Sequence, residues 1–259
     1  MTVEKIRELD PSPFINLLVY GDPGVGKTRL AGTSPGKVLI IRPPIEHTDS
    51  IRPEDRERVR EWVIRDWEEM NEALEFLRSD GGKFDWVWLD SISLIQDVLL
   101  DDIWANVIAE KPHRARYGLD KAEYGTNMHR LGLWIRHVVG ARLFNFGITA
   151  HTRELPFSDD PDEDEKLMPW IQGKQMPQKV CGYMNVVSFL GQTSKGSRVL
   201  YTSSTDRYYA KDQYDALGGK VLSPTIPKIE AAIAAKRTSP ATTKKRRSTR
   251  ASKLVDKEQ

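Results

Sequence analysis

The sequence has almost no cysteine and no long apolar run. Its one cysteine, Cys181, has no partner for an internal disulfide, and this excludes a zinc site built from several cysteines. No apolar run approaches the roughly 18 residues that a bilayer-spanning helix needs. The segment 1–10 carries charges where a signal peptide would have an apolar centre. The sequence therefore predicts a soluble protein of a reducing intracellular compartment, with no membrane among its partners.

Charge is distributed unevenly along the 259 residues, although the formal net charge is only +2. The segment 236–259 contains nine Lys and Arg and two acids, which leaves 30 basic and 35 acidic residues in 1–235. The basic segment has almost no large apolar residue, so it cannot bury enough surface to offset the entropy of ordering. We therefore expect an ordered domain over 1–235 and a disordered basic tail over 236–259.

Two charged segments bear on what the protein binds. A run of four consecutive basic residues in the tail suits contact with a nucleic-acid backbone, or else serves only solubility. These residues are Lys244, Lys245, Arg246 and Arg247. The segment 158–166 has six acids within its first eight positions, and their mutual repulsion predicts a solvated loop. Such a loop would repel a nucleic-acid backbone unless it controls access or holds a cation.

Short apolar runs alternate with helical patterns over the first 150 residues. The runs predict buried strands at 14–20, 37–41, 84–89 and 143–149. Apolar residues spaced three and four apart predict helices between them, most clearly at 67–77, 91–107 and 128–138. Strands separated by helices indicate βαβ units, so the predicted fold is α/β with a mostly parallel central sheet flanked by helices.

The pattern changes in the last third of the chain. Short apolar segments separated by Gly, Ser and Asp predict an antiparallel meander at one edge of the sheet, at 185–190, 197–202 and 207–210. A helical pattern at 226–235 could close the domain.

The most specific motif, G-x-x-x-x-G-K-[ST], follows the first predicted strand. Its glycines let backbone N–H groups converge on a phosphate, Lys27 carries a positive charge to the β- and γ-phosphates, and Thr28 offers a hydroxyl to Mg²⁺. Because an apolar strand precedes the motif and a helical pattern follows it, the motif predicts binding of a nucleoside triphosphate with Mg²⁺. The nucleotide-binding residues are Gly21, Asp22, Pro23, Gly24, Val25, Gly26, Lys27, Thr28 and Arg29.

Three further polar residues follow predicted strands, at the edge where ligands bind in open α/β sheets. Asp90 ends an apolar strand and matches the Walker B carboxylate that holds Mg²⁺ through water. Glu46 follows the second strand and either orients the attacking water or is a solvated loop acid. His151 ends the fourth strand. It faces the γ-phosphate if that strand lies between the P-loop strand and the Asp90 strand, and is otherwise a capping histidine.

The P-loop, Glu46, the segment 90–92 and the polar strand end at His151 together resemble a RecA-like P-loop ATPase core. The chain is most similar to the phage-encoded, core-only ATPases of the single-strand annealing and recombination group, AAA-type nucleotide-binding phage proteins. Further segments that carry this resemblance are 123–125, 149–151 and 209–212, and in all it covers roughly residues 14–230.

The resemblance implies an activity, a cofactor and partners. It implies a DNA-stimulated ATPase that uses ATP and Mg²⁺, acts on single-stranded DNA and forms a homo-oligomeric ring or filament. A single-strand-binding or replication protein would be a further partner, and a phage-encoded protein would work in the cytoplasm of a bacterial host. Strand exchange and annealing both stay open.

Roles for individual residues also follow from the resemblance. Glu46 matches the water-activating acid, His151 the γ-phosphate sensor and Asp90 the Walker B acid. Lys211 falls where RecA-like rings and filaments present a cation to the neighbour's ATP, unless it is one more surface lysine. The family pattern has Arg two residues later, where this chain has Gln213, and this departure weakens the match. The implied catalytic residues are Lys27, Glu46, His151 and Lys211.

The two DNA-binding loops of RecA-like proteins would correspond to residues 111–121 and 153–178. The first offers cations and a ring, Tyr117, for a phosphate backbone and its bases. The cations are Lys111, Arg114 and Arg116. The second contains the acidic segment. The alternative function is a nucleotide-switched loader or assembly ATPase that acts on a protein partner, and the acidic segment and Gln213 favour it.

Overall fold

A computed structural model describes residues 12–156 and 165–238. The predicted tail contacts at 244–247 and residues 158–164 of the acidic segment lie outside the described residues. None of the helices in the described ranges combines the length and the apolar character that crossing a bilayer requires.

The described residues form eleven strands and seven α-helices. The strands are β1 (Asn16–Tyr20), β2 (Val38–Arg42), β3 (Val59–Val63), β4 (Trp86–Leu89), β5 (Asn145–Ala150), β6 (Thr152–Pro156), β7 (Glu165–Pro169), β8 (Val186–Gln192), β9 (Arg198–Tyr201), β10 (Lys211–Asp212) and β11 (Lys220–Leu222). The helices are α1 (Lys27–Gly32), α2 (Pro53–Arg56), α3 (Trp67–Ser79), α4 (Ile92–Glu110), α5 (Lys121–Ala141), α6 (Met176–Tyr183) and α7 (Ile226–Thr238).

One sheet contains nine of these strands, in the order β11-β9-β8-β1-β5-β4-β2-β3, with β10 paired to β8. The strands from β8 to β3 are parallel, whereas β9, β10 and β11 are antiparallel to their neighbours. The prediction of an α/β fold with a mostly parallel sheet and an antiparallel C-terminal edge is confirmed. Strand β5 lies between β1 and β4, which is the order that a γ-phosphate role for His151 requires.

The structure differs from the sequence-based prediction at the edges of the sheet. Strand β8 pairs parallel with β1 and is not part of a purely antiparallel meander, and its first residues are buried, as in other parallel strands. The apolar-run criterion misses β3, because Arg60 and Glu61 lie exposed on this edge strand. Residues 207–210 form no strand and contain only a bridge from Tyr208 to Leu167.

A separate two-stranded hairpin, β6–β7, replaces part of the loop predicted at 153–178. Glu165 and Lys166, which close the predicted acidic loop, are residues of β7. The closing helix predicted at 226–235 is α7, and it runs on to Thr238, so Lys236 and Arg237 are helical.

The two faces of the sheet pack into two apolar clusters. One face contacts α3, α4, α5 and α6, and the other contacts α1 and α7. In β4, Val87 and Leu89 belong to the first cluster, whereas Trp86 and Trp88 belong to the second, as the two-residue period of a strand requires. The two indole rings stack with their centroids 5.3 Å apart. The sheet therefore carries helices on both faces, and its strand ends stay open for a site.

A substitution at Gly147 of β5 tests how tightly this strand packs against Trp88 of β4. A β-carbon at this position would overlap the ring of Trp88, which is fully buried. Overpacking at such a position costs about 1–3 kcal/mol or more. We therefore expect Gly147→Ala to lower the free energy of unfolding by at least this amount in denaturant titrations.

The same substitution at Gly140 of α5 is the control, because a β-carbon there meets no atom within 4 Å. In a helix, Ala is favoured over Gly by about 0.5–1 kcal/mol. Equal stability of the two variants would contradict the packing described for Trp88.

Candidate functional site

The segment between β1 and α1 folds as a loop closed around Lys27. Gly26 has a φ of 103°, a left-handed conformation, and a β-carbon there would also collide with the guanidinium of Arg198. The Lys27 ammonium donates to the carbonyls of Gly21 at 2.9 Å and Asp22 at 3.0 Å. The loop thus holds a cation that is only 7% exposed at the C-terminal end of β1.

The ammonium of Lys27 lies among acidic side chains. Burial lowers its pKa, and the negative charges of Asp90, Glu46 and Asp22 oppose this shift. Asp90 and Glu46 come from other elements of the fold, so the cavity that contains the buried cation also contains two acids.

Asp90 directly follows β4 and is 2% exposed. The hydroxyls of Thr149 and Thr28 donate to its carboxylate. Burial raises the pKa of Asp90, and the two hydrogen bonds oppose the rise. A carboxylate beside a hydroxyl offers the hard oxygen ligands that Mg²⁺ takes, with water and phosphate oxygens at its remaining positions. Asp90 and Thr28 therefore fit a Mg²⁺ ion that binds together with a nucleotide.

Glu46 is anchored at both its backbone and its side chain. The hydroxyl of Ser91 donates to Oε1 of Glu46 at 2.8 Å, and Nη1 of Arg42 donates to its carbonyl at 2.8 Å. The side chain is 19% exposed and lines the same cavity as Lys27. A carboxylate fixed in this way can hold a water molecule in one orientation.

His151 lies at the end of β5, with Nε2 3.9 Å from Oε1 of Glu46. Burial, reinforced by the charge of Lys27, lowers the pKa of the imidazole, so the ring is neutral at pH 7. The backbone N–H of His151 donates to the hydroxyl of Ser93 at 2.8 Å, and this hydroxyl donates to the carbonyl of Trp170 at 2.7 Å. His151 is therefore connected to the chain that follows β7.

Two adjoining cavities share part of the P-loop and the start of α1. The first, of about 400 Å³, is lined by Lys27, Thr28, Glu46, Asp90 and His151, among others. The second, of about 430 Å³, continues along α1 between Arg52 and Lys228. Ligand pockets commonly measure about 300–1,000 Å³. The first cavity suits a triphosphate, and the second has room for the nucleoside.

Arg198 is a site residue that motif reasoning misses. It opens β9, yet its Nε donates to the carbonyl of Val25 in the P-loop at 2.7 Å. Burial lowers its pKa, and the charges of Arg29 and Arg52 add to this effect. Arg198 lines both cavities and can balance the charge of a bound phosphate. One basic residue at the start of a short strand is too common a pattern to reveal this position.

The structure does not place Lys211 in the nucleotide cavity. It lies in β10, opposite Val187 of β8. Burial lowers its pKa, and Cys181 lies close enough to oppose this shift. Gln213, the departure from the family pattern, accepts a hydrogen bond from Asn185 at 3.1 Å. Any contact of Lys211 with a nucleotide would therefore involve a second copy of the chain.

The predicted first DNA-binding loop contains a 3₁₀ turn at 112–116 between α4 and α5. Arg114 contacts Asp120 at 2.9 Å and Glu123 at 3.3 Å, the two residues of the capping box that starts α5. It also lies 5.7 Å from the ring centroid of Trp104. Arg114 thus stabilises the loop itself. The other residues of the loop that were predicted to contact DNA are exposed, namely Lys111, Arg116 and Tyr117.

The fold and the site define a P-loop nucleotide-binding protein. Strand β1 leads into a phosphate-binding loop. Two acidic residues complete the site, Asp90 after β4 and Glu46 after β2. A family model described as an AAA domain matches residues 14–214, and because this is most of the chain, the protein belongs to that family, whose general activity is ATP hydrolysis. No curated protein shows significant similarity to the chain.

The position of Glu46 predicts separate effects on binding and on hydrolysis. Glu46→Gln keeps the size of the side chain and an oxygen for Ser91, but removes the negative charge that would polarise water. Since general acid–base groups contribute about 10²–10⁴-fold, we expect ATP hydrolysis to fall by at least about 100-fold while ATP affinity changes little.

Steady-state turnover and equilibrium titration with ATP measure the two quantities. Glu57→Gln removes an exposed carboxylate that lines neither cavity along the P-loop, and should leave both unchanged. Undiminished hydrolysis by Glu46→Gln would contradict the assignment.

Arg198 should affect binding of the nucleotide. Hydrogen bonds to charged groups contribute about 1.5–3 kcal/mol, so Arg198→Ala should raise the Kd for ATP about tenfold or more. Titration with a fluorescent ATP analogue measures this, with Arg78→Ala as the control, because Arg78 is exposed in the last turn of α3 and lines none of the cavities along the P-loop. Equal affinities of the two variants would remove Arg198 from the site.

Proposed function

We propose that this AAA-domain protein is a Mg²⁺-dependent ATPase that acts on single-stranded DNA in phage recombination or replication, by annealing or strand exchange. The observation that carries the proposal is the convergence of Lys27, Asp90, Glu46 and His151 on one cavity, from the ends of four neighbouring strands. An anchored carboxylate beside a histidine suits the orientation of an attacking water molecule, which hydrolysis requires and nucleotide binding alone does not.

Each residue has a role that follows from its position. Lys27 and Arg198 place positive charge against the phosphates, where preorganised charge lowers the barrier most. Glu46 orients the attacking water and accepts its proton. The neutral ring of His151 hydrogen-bonds the γ-phosphate and reports its loss to Trp170 through Ser93. Mg²⁺, held through Asp90 and Thr28, supplies further neutralisation of the phosphate charge.

Support for action on DNA comes from the surface. Lys111 and Arg116 are exposed in the same loop as Tyr117, which is itself 77% exposed. Cations next to an exposed ring suit a single strand, because the backbone is anionic and every base has a face that can stack. In this proposal the tail residues 244–247 add phosphate contacts, and a homo-oligomer places Lys211 near a neighbour's nucleotide.

A second candidate is a nucleotide-switched loader or assembly ATPase that acts on a protein partner. The engagement of Arg114 favours it, since its contacts with Asp120 and Glu123 leave fewer loop cations for phosphates. The two candidates differ in whether single-stranded DNA changes the rate of ATP hydrolysis.

The test is steady-state ATP hydrolysis with and without single-stranded DNA. We expect DNA to raise the wild-type rate, and Lys27→Ala to abolish hydrolysis while its circular dichroism stays that of the wild type. Lys37→Ala is the matched control, because Lys37 is exposed just before β2, at the end of the strand that lies away from the nucleotide cavity. Hydrolysis that ignores DNA would favour the loader, and normal turnover by Lys27→Ala would overturn the site itself.

A further inference from the structure

Glu46 lies in a loop that has little apolar anchoring. The segment 43–48, which we call the Glu46 loop, follows β2 and leads towards α2. Only the first of its six residues is buried, and Pro44, Ile45 and His47 are exposed. A segment with few buried apolar contacts opens at a low cost in free energy. Polar contacts must therefore fix the loop if the Glu46 carboxylate is to hold a water molecule in one place.

One arginine closes the loop into a turn. Arg42, the last residue of β2, donates from Nη1 to the carbonyls of Pro43 at 3.2 Å and Glu46 at 2.8 Å. The N–H of Glu46 donates to the carbonyl of Pro43 at 3.2 Å. The side chain of Arg42 is only 13% exposed, so it has little freedom to adopt another rotamer. The backbone of Glu46 is thus held at both its N–H and its carbonyl.

The guanidinium of Arg42 is held in turn by Glu61 of the edge strand β3. Nε of Arg42 donates to Oε2 of Glu61 at 2.8 Å, and the hydroxyl of Thr48 donates to the same oxygen at 3.3 Å. The hydrogen bond from Arg42 holds the pKa of the Glu61 carboxyl below its ordinary value, so this group is charged at pH 7. One carboxylate oxygen therefore fixes the residue before the Glu46 loop and the last residue within it.

The parallel pairing of β2 and β3 brings these two side chains together. Ile40 lies opposite Glu61, and Arg42 lies opposite Val63. Because side chains two apart on a strand share a face, Arg42 and Glu61 are diagonal neighbours on one face of the sheet. The side chain of Glu61 is 43% exposed, and ion pairs exposed to this degree add little to stability. The pair is therefore better suited to fixing a position than to holding the fold together.

We propose that Arg42 and Glu61 are positioning residues for Glu46, which hold its loop so that the carboxylate faces the attacking water. Neither residue lines the two cavities along the P-loop that would hold the nucleotide. Their effect on hydrolysis would therefore pass through Glu46. The inference rests on the proposed hydrolysis of ATP and extends the catalytic arrangement to an edge strand outside the cavity.

The first experiment compares Glu61→Ala with Glu69→Ala in the full-length protein. Glu69 also pairs with an arginine, Arg65 at 3.0 Å, but it lies in α3 and has no contact with the Glu46 loop. Steady-state hydrolysis gives kcat, and equilibrium titration with ATP gives the Kd. Since a small misplacement of a catalytic group can lower a rate by about 10²-fold, we expect Glu61→Ala to lower kcat about tenfold or more. The Kd of this variant, and both quantities for Glu69→Ala, should stay within about twofold of the wild type.

A double-mutant cycle separates positioning from a general structural effect. Glu61→Ala is combined with Glu46→Gln, and single-turnover hydrolysis is measured with the protein in excess over labelled ATP. If Glu61 acts through Glu46, the double variant should hydrolyse ATP within about twofold of Glu46→Gln alone, because the effects of groups that act as a unit are not additive. A further tenfold loss in the double variant would overturn the proposal.

The substitution Arg42→Lys tests whether geometry or charge is required. Lysine keeps the positive charge, but a single ammonium cannot replace the separate bonds that Nε and Nη1 make to Glu61 and to the loop carbonyls. We therefore expect Arg42→Lys to lower kcat at least as much as Glu61→Ala, again with little change in the Kd for ATP. Wild-type kcat in Arg42→Lys would overturn the positioning role.

The outcomes separate this inference from the proposed function. Loss of activity in Glu46→Gln together with wild-type kcat in Glu61→Ala would overturn the positioning role and leave the ATPase standing. An equal fall of kcat in Glu61→Ala and Glu69→Ala would also overturn it, because any lost surface ion pair would then have the same effect. A wild-type protein that binds ATP without hydrolysing it would overturn both.

Discussion

The buried ammonium of Lys27 is the charge on which the rest of the site depends. A lone cation of this kind would be costly to bury, and here carbonyls of its own loop hold it while carboxylates from other elements surround it. Asp90 is buried still more completely, and the hydroxyls of Thr149 and Thr28 stabilise its charge. The two charges require each other, so the loop after β1 and the end of β4 must lie side by side.

The order of the strands satisfies this requirement. Strand β5 separates β1 from β4, and Thr149 near its end donates across to Asp90. The next two positions along the chain lead to His151, which the same geometry places beside Glu46. The end of β5 thus supplies both the hydroxyl of Thr149, which stabilises Asp90, and the ring of His151, which faces the cavity. The antiparallel strands add Arg198 from the other side, against the carbonyl of Val25.

How much the sequence predicts depends on whether a residue acts within a local pattern. The P-loop is such a pattern, because its glycines, lysine and threonine are contiguous, and the α/β class follows from alternating apolar runs. Asp90 needs only its own strand. Predicting the role of His151 requires the order of the strands in the sheet, and the periodicity of the sequence does not reveal that order. Predicting the role of Arg198 requires knowledge of a long-range contact from β9 to the P-loop. Arg114 shows the opposite error, since a basic residue in a loop suggests an external ligand although its partners, Asp120 and Glu123, are internal.

The connection between His151 and Trp170 decides how the site could act at a distance. Ser93 accepts from the N–H of His151 and donates to the carbonyl of Trp170, whose own N–H donates back to His151. The two residues are thus joined by two hydrogen-bonded connections. Helix α4 also holds the next part of this segment, because the N–H of Gln172 donates to Oε1 of Gln96. In the proposed function, loss of the γ-phosphate would therefore act first on residues 170–172, the segment to which His151 is hydrogen-bonded.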